Sequence, residues 1–599
     1  MTHYKSNLRD IQFNLFEYFR TQDVMGSGAF ADMDEETARN VLLEVDKLAK
    51  GAFAESFEPG DRTPLTLEDG DVTLPPSVRA AVEAFYDADW QGLELPEHLG
   101  GVGAPPSLRW ASFELLWGGN SAATFYLLGT FVAALIDKLG TEAQKSRYVN
   151  NMVDGHWGAT MVLTEPDAGS DVGAGRTTAK HLQDDVWELE GTKRFITNGD
   201  FDGPANIVHL VLARPEGAQA GTNGLSLFVV PKYWVDEAGA IAERNDAVVT
   251  GIEKKMGLSA SATCELTLGA NGPCRGLLLG DVHDGIRQMF HVIEYARMSI
   301  GLKSMSTMST AYLNALEYAK ERVQGPDMKH MADKEAPRVR IIEHPDVRRM
   351  LMLQKSHAEG MRALIYYGAR LQDDVASTDE DDARVAAARK SDLLLPIIKA
   401  YCSEKTYELL SVSLQTFGGS GFCKDYPIEQ YIRDQKIDTL YEGTTHIQAL
   451  DLFFRKVARD QGKTLQAVLG DAAKLVAEER GGAAFAKERA KLAHALSVMQ
   501  ESMQTALGRM QESIYWVGLN ANRLLDSLAE LLIAYLLLDQ AVIANEKLGA
   551  AAASDAAFYE GKVASARFFA STVLPKLDMR LAQLKGSDLS LMDMDESAF

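Results

Sequence analysis

With 599 residues, the chain is too long for one hydrophobic core, and roughly three or four domains are expected. Its 61 Lys and Arg stand against 84 Asp and Glu, a net charge of −23. That field repels nucleic-acid backbones and anionic membrane surfaces. Four cysteines, Cys264, Cys274, Cys402 and Cys423, form no CxxC pair and no cluster with histidine. Neither a metal site nor a disulfide framework is expected, and the count suits a reducing cytoplasm.

The opening MTHYKSNLRD lacks the apolar core of a signal peptide. From Glu35, EETARNVLLEVDKLAKGAF repeats apolar residues at helical spacing, and helices are expected to about residue 157. The Pro- and Gly-rich segments Pro64 to Pro76 and Leu95 to Pro106 read as loops. Residues 115–136 carry no charge, but Gly118, Gly119, Asn120 and Ser121 interrupt them. The apolar run left, Ala122 to Ile136, is too short to span a bilayer and reads as a buried helix.

Between Gly158 and Leu279 the character changes to short runs such as WELEG, IVHLVLA, LSLFVVP and CELTLG, set apart by turn residues. These are strands of a compact β domain. Helical periodicity returns at Asp281, interrupted by a polar stretch, Val323 to Glu343, that reads as a loop. A further helical region from 461 to 599 breaks at Gly481 and Gly482. Within it, Leu524 to Ile543 is too apolar for one helix face to hide. Asp526, Glu530 and Asp539 argue against burial in anionic lipid, so it is expected to pack inside the protein, with no transmembrane helix.

Three clusters carry chemistry. Met161 to Asp171, MVLTEPDAGSD, places a Gly-Ser after a Pro turn, where backbone N–H groups and a hydroxyl can approach a flat or phosphorylated ligand; a plain structural turn is the alternative. In GTKRFITNG, Phe195 and Thr197 alternate and should share one face of a strand. The third cluster runs from Gln415-Thr-Phe-Gly-Gly419 through Arg433-Asp434 to Tyr441-Glu442-Gly443-Thr444. It presents a carboxylate at a helix end beside a turn that a cofactor can approach closely; a capping role is the alternative.

Together with the loop Leu95-Pro-Glu-His-Leu-Gly-Gly101, these segments resemble, in order, the signatures of the acyl-CoA dehydrogenase family. The match covers most of residues 1–460, and the extra C-terminal region is similar to the long, very-long-chain-like subgroup. The resemblance implies a mainly α fold with a central β domain: a helical domain over 1–157, a middle β domain over 158–280, a four-helix bundle over 281–460 and an additional helical domain over 461–599. It implies FAD as cofactor. Met161, Leu163, Thr164, Gly169, Ser170, Phe195 and Thr197 would lie at the flavin, with Ser170 also near the CoA chain.

By the same resemblance, Arg322, Gln415, Gly418 and Gly419 would hold the cofactor of a neighbouring subunit, which makes a homodimer the expected minimum. Thr444 and His446 would contact the flavin dinucleotide. Glu294, Arg297, Tyr441 and Gly443 would face the acyl-CoA substrate, and Glu442 would remove its α-proton. The product would be a trans-2-enoyl-CoA, the electron acceptor an electron-transfer flavoprotein, and no metal is implied. Phe195 stands where many relatives have Trp, and His446 replaces a frequent Gln. Some relatives carry the base just before the substrate-side Arg, but that position is Ala296 here, which leaves Glu442. Two alternatives share the fold: an oxidase that passes electrons to oxygen, and a nucleic-acid-binding relative. The second needs a basic extension, whereas residues 461–599 carry 14 basic and 17 acidic side chains.

Overall fold

The computed structural model describes residues 2–599. Its contacts divide into two units, residues 2–4 with 25–296 and residues 5–24 with 297–599.

In the first unit, the expected helix forms as Glu35–Leu48, with the Asp34 side chain capping Thr37 N at 2.7 Å. Helices Pro76–Asp87 and Pro106–Gly119 each open on a proline, whose fixed φ suits the first helical position. The segment read as a loop between Pro64 and Pro76 instead holds a small antiparallel hairpin, Thr66–Glu68 with Asp71–Thr73, turned at Asp69 and Gly70. In the second loop, the backbone folds so tightly that a Cβ at Gly101 would run into the Leu95 carbonyl.

The middle of this unit is an eight-stranded sheet: β1 (Gly158–Val162), β2 (Thr178–Gln183), β3 (Val186–Thr197), β4 (Ile207–Pro215), β5 (Ser226–Pro231), β6 (Ala247–Ile252), β7 (Thr263–Leu268) and β8 (Arg275–Leu278). Its order is β6-β7-β3-β8-β5-β4-β1, with β2 joining β3 to β4. Strand β1 runs parallel to β4 and the β3–β7 pair is antiparallel. Helices Gly129–Leu139 and Glu142–Asp154 supply Val132, Ile136, Tyr148 and Met152 to a core shared with Val208, Leu210, Leu227 and Val229. Met161 and Leu163 pack on its margin.

The second unit is helical. Long helices Pro345–Ser377 and Asp381–Phe417 lie side by side, and Gly301 lets the Gly285–Glu321 helix approach Ile398 so closely that a Cβ would clash. The polar stretch 323–343 forms a short hairpin, Val323–Pro326 with Arg338–Arg340, rather than a featureless loop. The extension begins at Lys463–Ala477, breaks at Gly481 and Gly482 in left-handed conformations, and continues as Ala486–Glu512, Ile514–Leu548, Ala553–Thr572 and Lys576–Gly586. Ile514–Leu548 is long and apolar enough to cross a membrane, but its apolar window is 89 % buried inside the protein. It packs on Pro345–Ser377, Ala486–Glu512, Ala553–Thr572 and the short helix Thr445–Leu450.

A buried charge cluster ties the N-terminal segment to this unit. Asp10 receives Arg362 Nη1 at 2.7 Å and Lys562 Nζ at 2.9 Å, all three inaccessible to solvent. Burial pushes the Asp10 carboxyl upward, but Lys562 and Arg362 outweigh it and hold its pKa at about 2.

Candidate active site

In the first unit, the signatures around Glu165 and Phe195 are joined by one buried ion pair. Lys193 Nζ donates to Glu165 at 2.9 Å and also to the carbonyls of Leu163 and Leu212. The Glu165 carboxylate in turn accepts the N–H groups of Arg176 and Thr177, which fixes the loop carrying Gly169 and Ser170. Arg194 N–H donates to the Thr164 carbonyl at 2.9 Å, so the end of β1 and the end of β3 lie together.

Phe195 sits at an irregularity of its strand. The register against β7 slips between Cys264 and Leu266, which gives β3 an extra residue, and Phe195 takes φ +60° there. The bulge leaves Phe195 55 % exposed and Thr197 half-buried, with Ile196 packed inward. Phe195 and Thr197 still share the accessible side, with Met161, Leu163 and Thr164 part-exposed on the adjoining strand end.

In the second unit, Glu442 lies in the turn between the 3-10 segment Lys436–Thr439 and helix Thr445–Leu450, for which Thr444 is the N-cap. Glu442 has φ +56° and Gly443 φ +86°. A non-glycine residue held there costs about 1–3 kcal/mol and persists only where its surroundings enforce it. Here Gln448 Nε2 donates to the carbonyls of Glu442 at 2.8 Å and Gly443 at 3.3 Å, and Lys399 Nζ donates to the Gly443 carbonyl at 2.7 Å. Upstream, the Tyr441 hydroxyl donates to buried Asp438 at 2.7 Å, which also accepts Lys303 and Ser304.

This scaffold leaves both functional groups of Glu442 unused. Among the described residues, no hydrogen bond or ion pair engages its carboxyl or its backbone N–H. The residue as a whole is half-buried. The surrounding protein nonetheless raises its pKa by burial, opposed by the charges of Lys399 and Arg297. A desolvated carboxyl of raised pKa, unbonded and fixed by its backbone, is suited to taking a proton from carbon.

The other predicted residues fall into groups. Arg322, Gln415, Gly418 and Gly419 are exposed at one end of the bundle, where the Tyr318 hydroxyl donates to Ser420 at 3.2 Å. Arg322 has no carboxylate partner among the described residues, and a Cβ at Gly418 or Gly419 would meet nothing within 4 Å. Arg297, expected at the substrate, is buried and donates to Asp451 at 2.6 Å. Glu294 is half-buried in the first unit, one residue before Tyr295, whose hydroxyl bonds to Glu94 and whose ring stacks on Phe131 at 4.0 Å. The His446 ring is 3.1 Å from the Asn522 side chain of the extension.

Family profiles match in series from residue 66 to residue 595: the acyl-CoA dehydrogenase N-terminal domain over 66–156, the middle domain over 160–270, the C-terminal domain over 283–455, and an acetyl-CoA dehydrogenase C-terminal-like domain over 463–595. The broad-specificity linear acyl-CoA dehydrogenase FadE5 of Mycobacterium tuberculosis is 50 % identical, with 100 % of each chain covered. The chain belongs to the acyl-CoA dehydrogenase family. The 3-methylmercaptopropionyl-CoA dehydrogenase of Ruegeria pomeroyi is 34 % identical, over 98 % of this chain and 99 % of the relative. An acyl-CoA dehydrogenase from Bacillus anthracis solved with FAD shares the fold, with a TM-score of 0.69 and 19 % identity over 92 % of this chain and 89 % of that one.

This acyl-CoA dehydrogenase is thus an FAD-dependent oxidoreductase that forms the α,β double bond of an acyl-CoA. Its residues fit that cofactor. In the first unit an exposed aromatic ring held at a bulge, beside Thr164, Thr197 and the Ser170 loop, offers a face and hydroxyls to a flat ring bearing carbonyls. In the second unit an unpaired Arg322 and two uncrowded glycines suit a diphosphate. Sequence reasoning missed Lys399, Gln448 and Asp438. One signal was available for Lys399, a lone lysine within the apolar run LLLPIIKAYC.

Proposed function

We propose that Glu442 is the base of this acyl-CoA dehydrogenase. The observation that carries this reading is the Glu442 turn itself, left-handed, clamped at its carbonyls, and leaving both carboxyl and N–H free. The carboxylate takes the α-proton of the thioester substrate. The α-proton is too weakly acidic for a carboxylate to remove unaided, so a donor to the developing enolate oxygen is needed. The unpartnered Glu442 N–H supplies one such donor, and it can strengthen as negative charge grows. Bound FAD supplies the acceptor for the hydride that leaves the β-carbon. Burial of Glu442 favours its neutral form after proton transfer, which helps the step toward the enoyl product.

Phe195, Thr164 and Thr197 with Met161, Leu163, Gly169 and Ser170 make up the flavin-side surface. Arg322, Gln415, Gly418 and Gly419 bind the cofactor of a second copy, which makes the enzyme at least a homodimer. Thr444 and His446 lie at the dinucleotide, Tyr441 and Gly443 at the substrate, with Glu294 near its pantetheine. Arg297 acts beside the substrate through its charge on Glu442 rather than by direct contact, since Asp451 occupies its guanidinium. Linear fatty acyl-CoAs are the substrates, a reading supported by the FadE5 relative. An electron-transfer flavoprotein is the electron acceptor and the cytoplasm the location. The four family segments support domain boundaries near 157, 280 and 460.

Glu442→Gln tests the assignment. It should retain FAD and bind acyl-CoA while losing on the order of 10²–10⁴-fold in turnover with an artificial electron acceptor. Near-normal turnover would place the base elsewhere.

A further inference from the structure

We propose that Lys399 is a positioning residue for the dehydrogenation: its ammonium fastens the Gly443 carbonyl and sets beside the turn a positive charge that favours the ionised form of Glu442. This rests on the assignment of Glu442 as the base.

Lys399 sits in the middle of the Asp381–Phe417 helix with no accessible surface. Its helical neighbours Leu395, Ile398, Ala400 and Cys402 are apolar and buried. An amine in such a place is costly, and it persists where it has a partner that needs it. The partner is not a carboxylate, because no ion pair involves Lys399 among the described residues. Its one hydrogen bond, at 2.7 Å, goes to the backbone of the left-handed turn.

That geometry gives Lys399 two effects on one turn. Mechanically, it and Gln448 hold the Gly443 carbonyl from two elements, so the turn cannot relax to an ordinary right-handed conformation without breaking both. Electrostatically, its positive charge opposes the burial of Glu442 more strongly than that of Arg297. The charged groups facing Lys399 come from four elements: Asp438 of the 3-10 segment, Glu442 of the turn, Arg297 of the Gly285–Glu321 helix, and Glu404 of its own helix. Of these, Asp438 already pairs with Lys303, Arg297 with Asp451, and Glu404 accepts the Thr445 hydroxyl, while the Glu442 carboxyl has no partner among the described residues. Burial draws the Lys399 pKa down to about 8, and Asp438 and Glu442 resist that pull, so the group is cationic at neutral pH and below.

The sign of the coupling is fixed. The Lys399 cation lowers the Glu442 pKa, so its removal raises that pKa further. The acid limb of the kcat/KM profile, where the base must lose its proton, then moves to higher pH. Loss of the charge-assisted hydrogen bond to the turn lowers kcat at the plateau roughly 10-fold or more. A lysine that merely filled space in the helix would leave the acid limb in place.

The test uses the full-length FAD enzyme and three variants, with flavin absorbance confirming cofactor content. Lys399→Met is expected to lower kcat with little change in KM and to shift the acid limb upward. Difference infrared titration of the Glu442 carboxyl, assigned by its loss in Glu442→Gln, should show the same upward shift without turnover. Lys399→Arg keeps the charge while altering the bond, so its acid limb should stay at the wild-type position even as kcat falls. An unshifted limb and carboxyl titration in Lys399→Met overturns the proposal. If Lys399→Met does not accumulate as folded holoenzyme, Lys399→Arg decides, and a shifted acid limb there overturns it. Full turnover in Glu442→Gln instead removes the base assignment, whereas an inactive Glu442→Gln beside an unshifted Lys399→Met removes only the role of Lys399.

Discussion

Gly443→Ala probes the turn on which the chemistry depends. At φ +86° an L-residue carries a cost of about 1–2 kcal/mol that glycine avoids. The new Cβ would lie 2.8 Å from Gln448 Nε2 and 3.2 Å from Ile447 Cγ2, so Gln448 must move. Moving it gives up its two hydrogen bonds to the Glu442 and Gly443 carbonyls, each worth about 0.5–1.5 kcal/mol. The local penalty is about 2–5 kcal/mol, enough to let the turn abandon the left-handed conformation. Because k depends exponentially on such differences, kcat should fall roughly 10- to 100-fold even if only part of the penalty reaches the transition state. The penalty is confined to one turn of a 599-residue protein, so the thermal midpoint should move by only a few degrees. Steady-state turnover with an artificial acceptor, beside calorimetry and flavin absorbance on the same preparation, measures all three quantities. A variant with kcat within twofold of wild type would show that the left-handed geometry of Glu442 does not matter to catalysis, and the reasoning would fail.

Lys562→Met leaves Asp10 with one of its two buried cations and should destabilise the protein by about 3–5 kcal/mol; an unchanged thermal midpoint would refute this. The Asp10 pKa is lowered to about 2 in the fold, so its contribution is full above the ordinary carboxylate range and is lost as pH falls toward 2. That acid dependence of stability should flatten in the variant. Arg322→Ala removes an exposed cation with no carboxylate partner, and it should weaken FAD retention on dilution while sparing the fold by circular dichroism; undiminished FAD content would remove Arg322 from the cofactor site. Deleting residues after about 460 strips the cover from helix Thr445–Leu450 and removes the Lys562 partner of Asp10. Such a protein should aggregate or lose activity with stability, and a soluble truncation of full activity would contradict the packing.

Much of the fold is visible in the sequence because its cues are local. Glu35–Leu48 and the strands holding IVHLVLA and LSLFVVP follow from period and composition alone, and Gly481-Gly482 marks a break wherever it stands. The hairpin at 66–73 was missed although Asp69-Gly70 is a turn signal, because its strands are three residues each and carry no apolar run. The bulge at Phe195 is set by register against β7, which period 2 within one strand cannot reveal. At the site, Glu442 was reachable only through the neighbouring motifs that resemble the family. Its supports were not, since Lys399 lies 43 positions upstream of Glu442, and Asp451 reaches Arg297 across 154 positions. Partners that distant leave no periodic trace in the chain.

Removal of the α-proton by Glu442 is the central claim, and isotope exchange reads that step without electron transfer to any external acceptor. Wild type and Glu442→Gln, each loaded with FAD, would be incubated anaerobically in D₂O with an acyl-CoA analogue that cannot give up a β-hydride, and α-deuterium incorporation followed by mass spectrometry. The structure predicts rapid incorporation with wild type and essentially none with Glu442→Gln at equal ligand occupancy. Equal exchange in the two proteins would show that another group takes the proton.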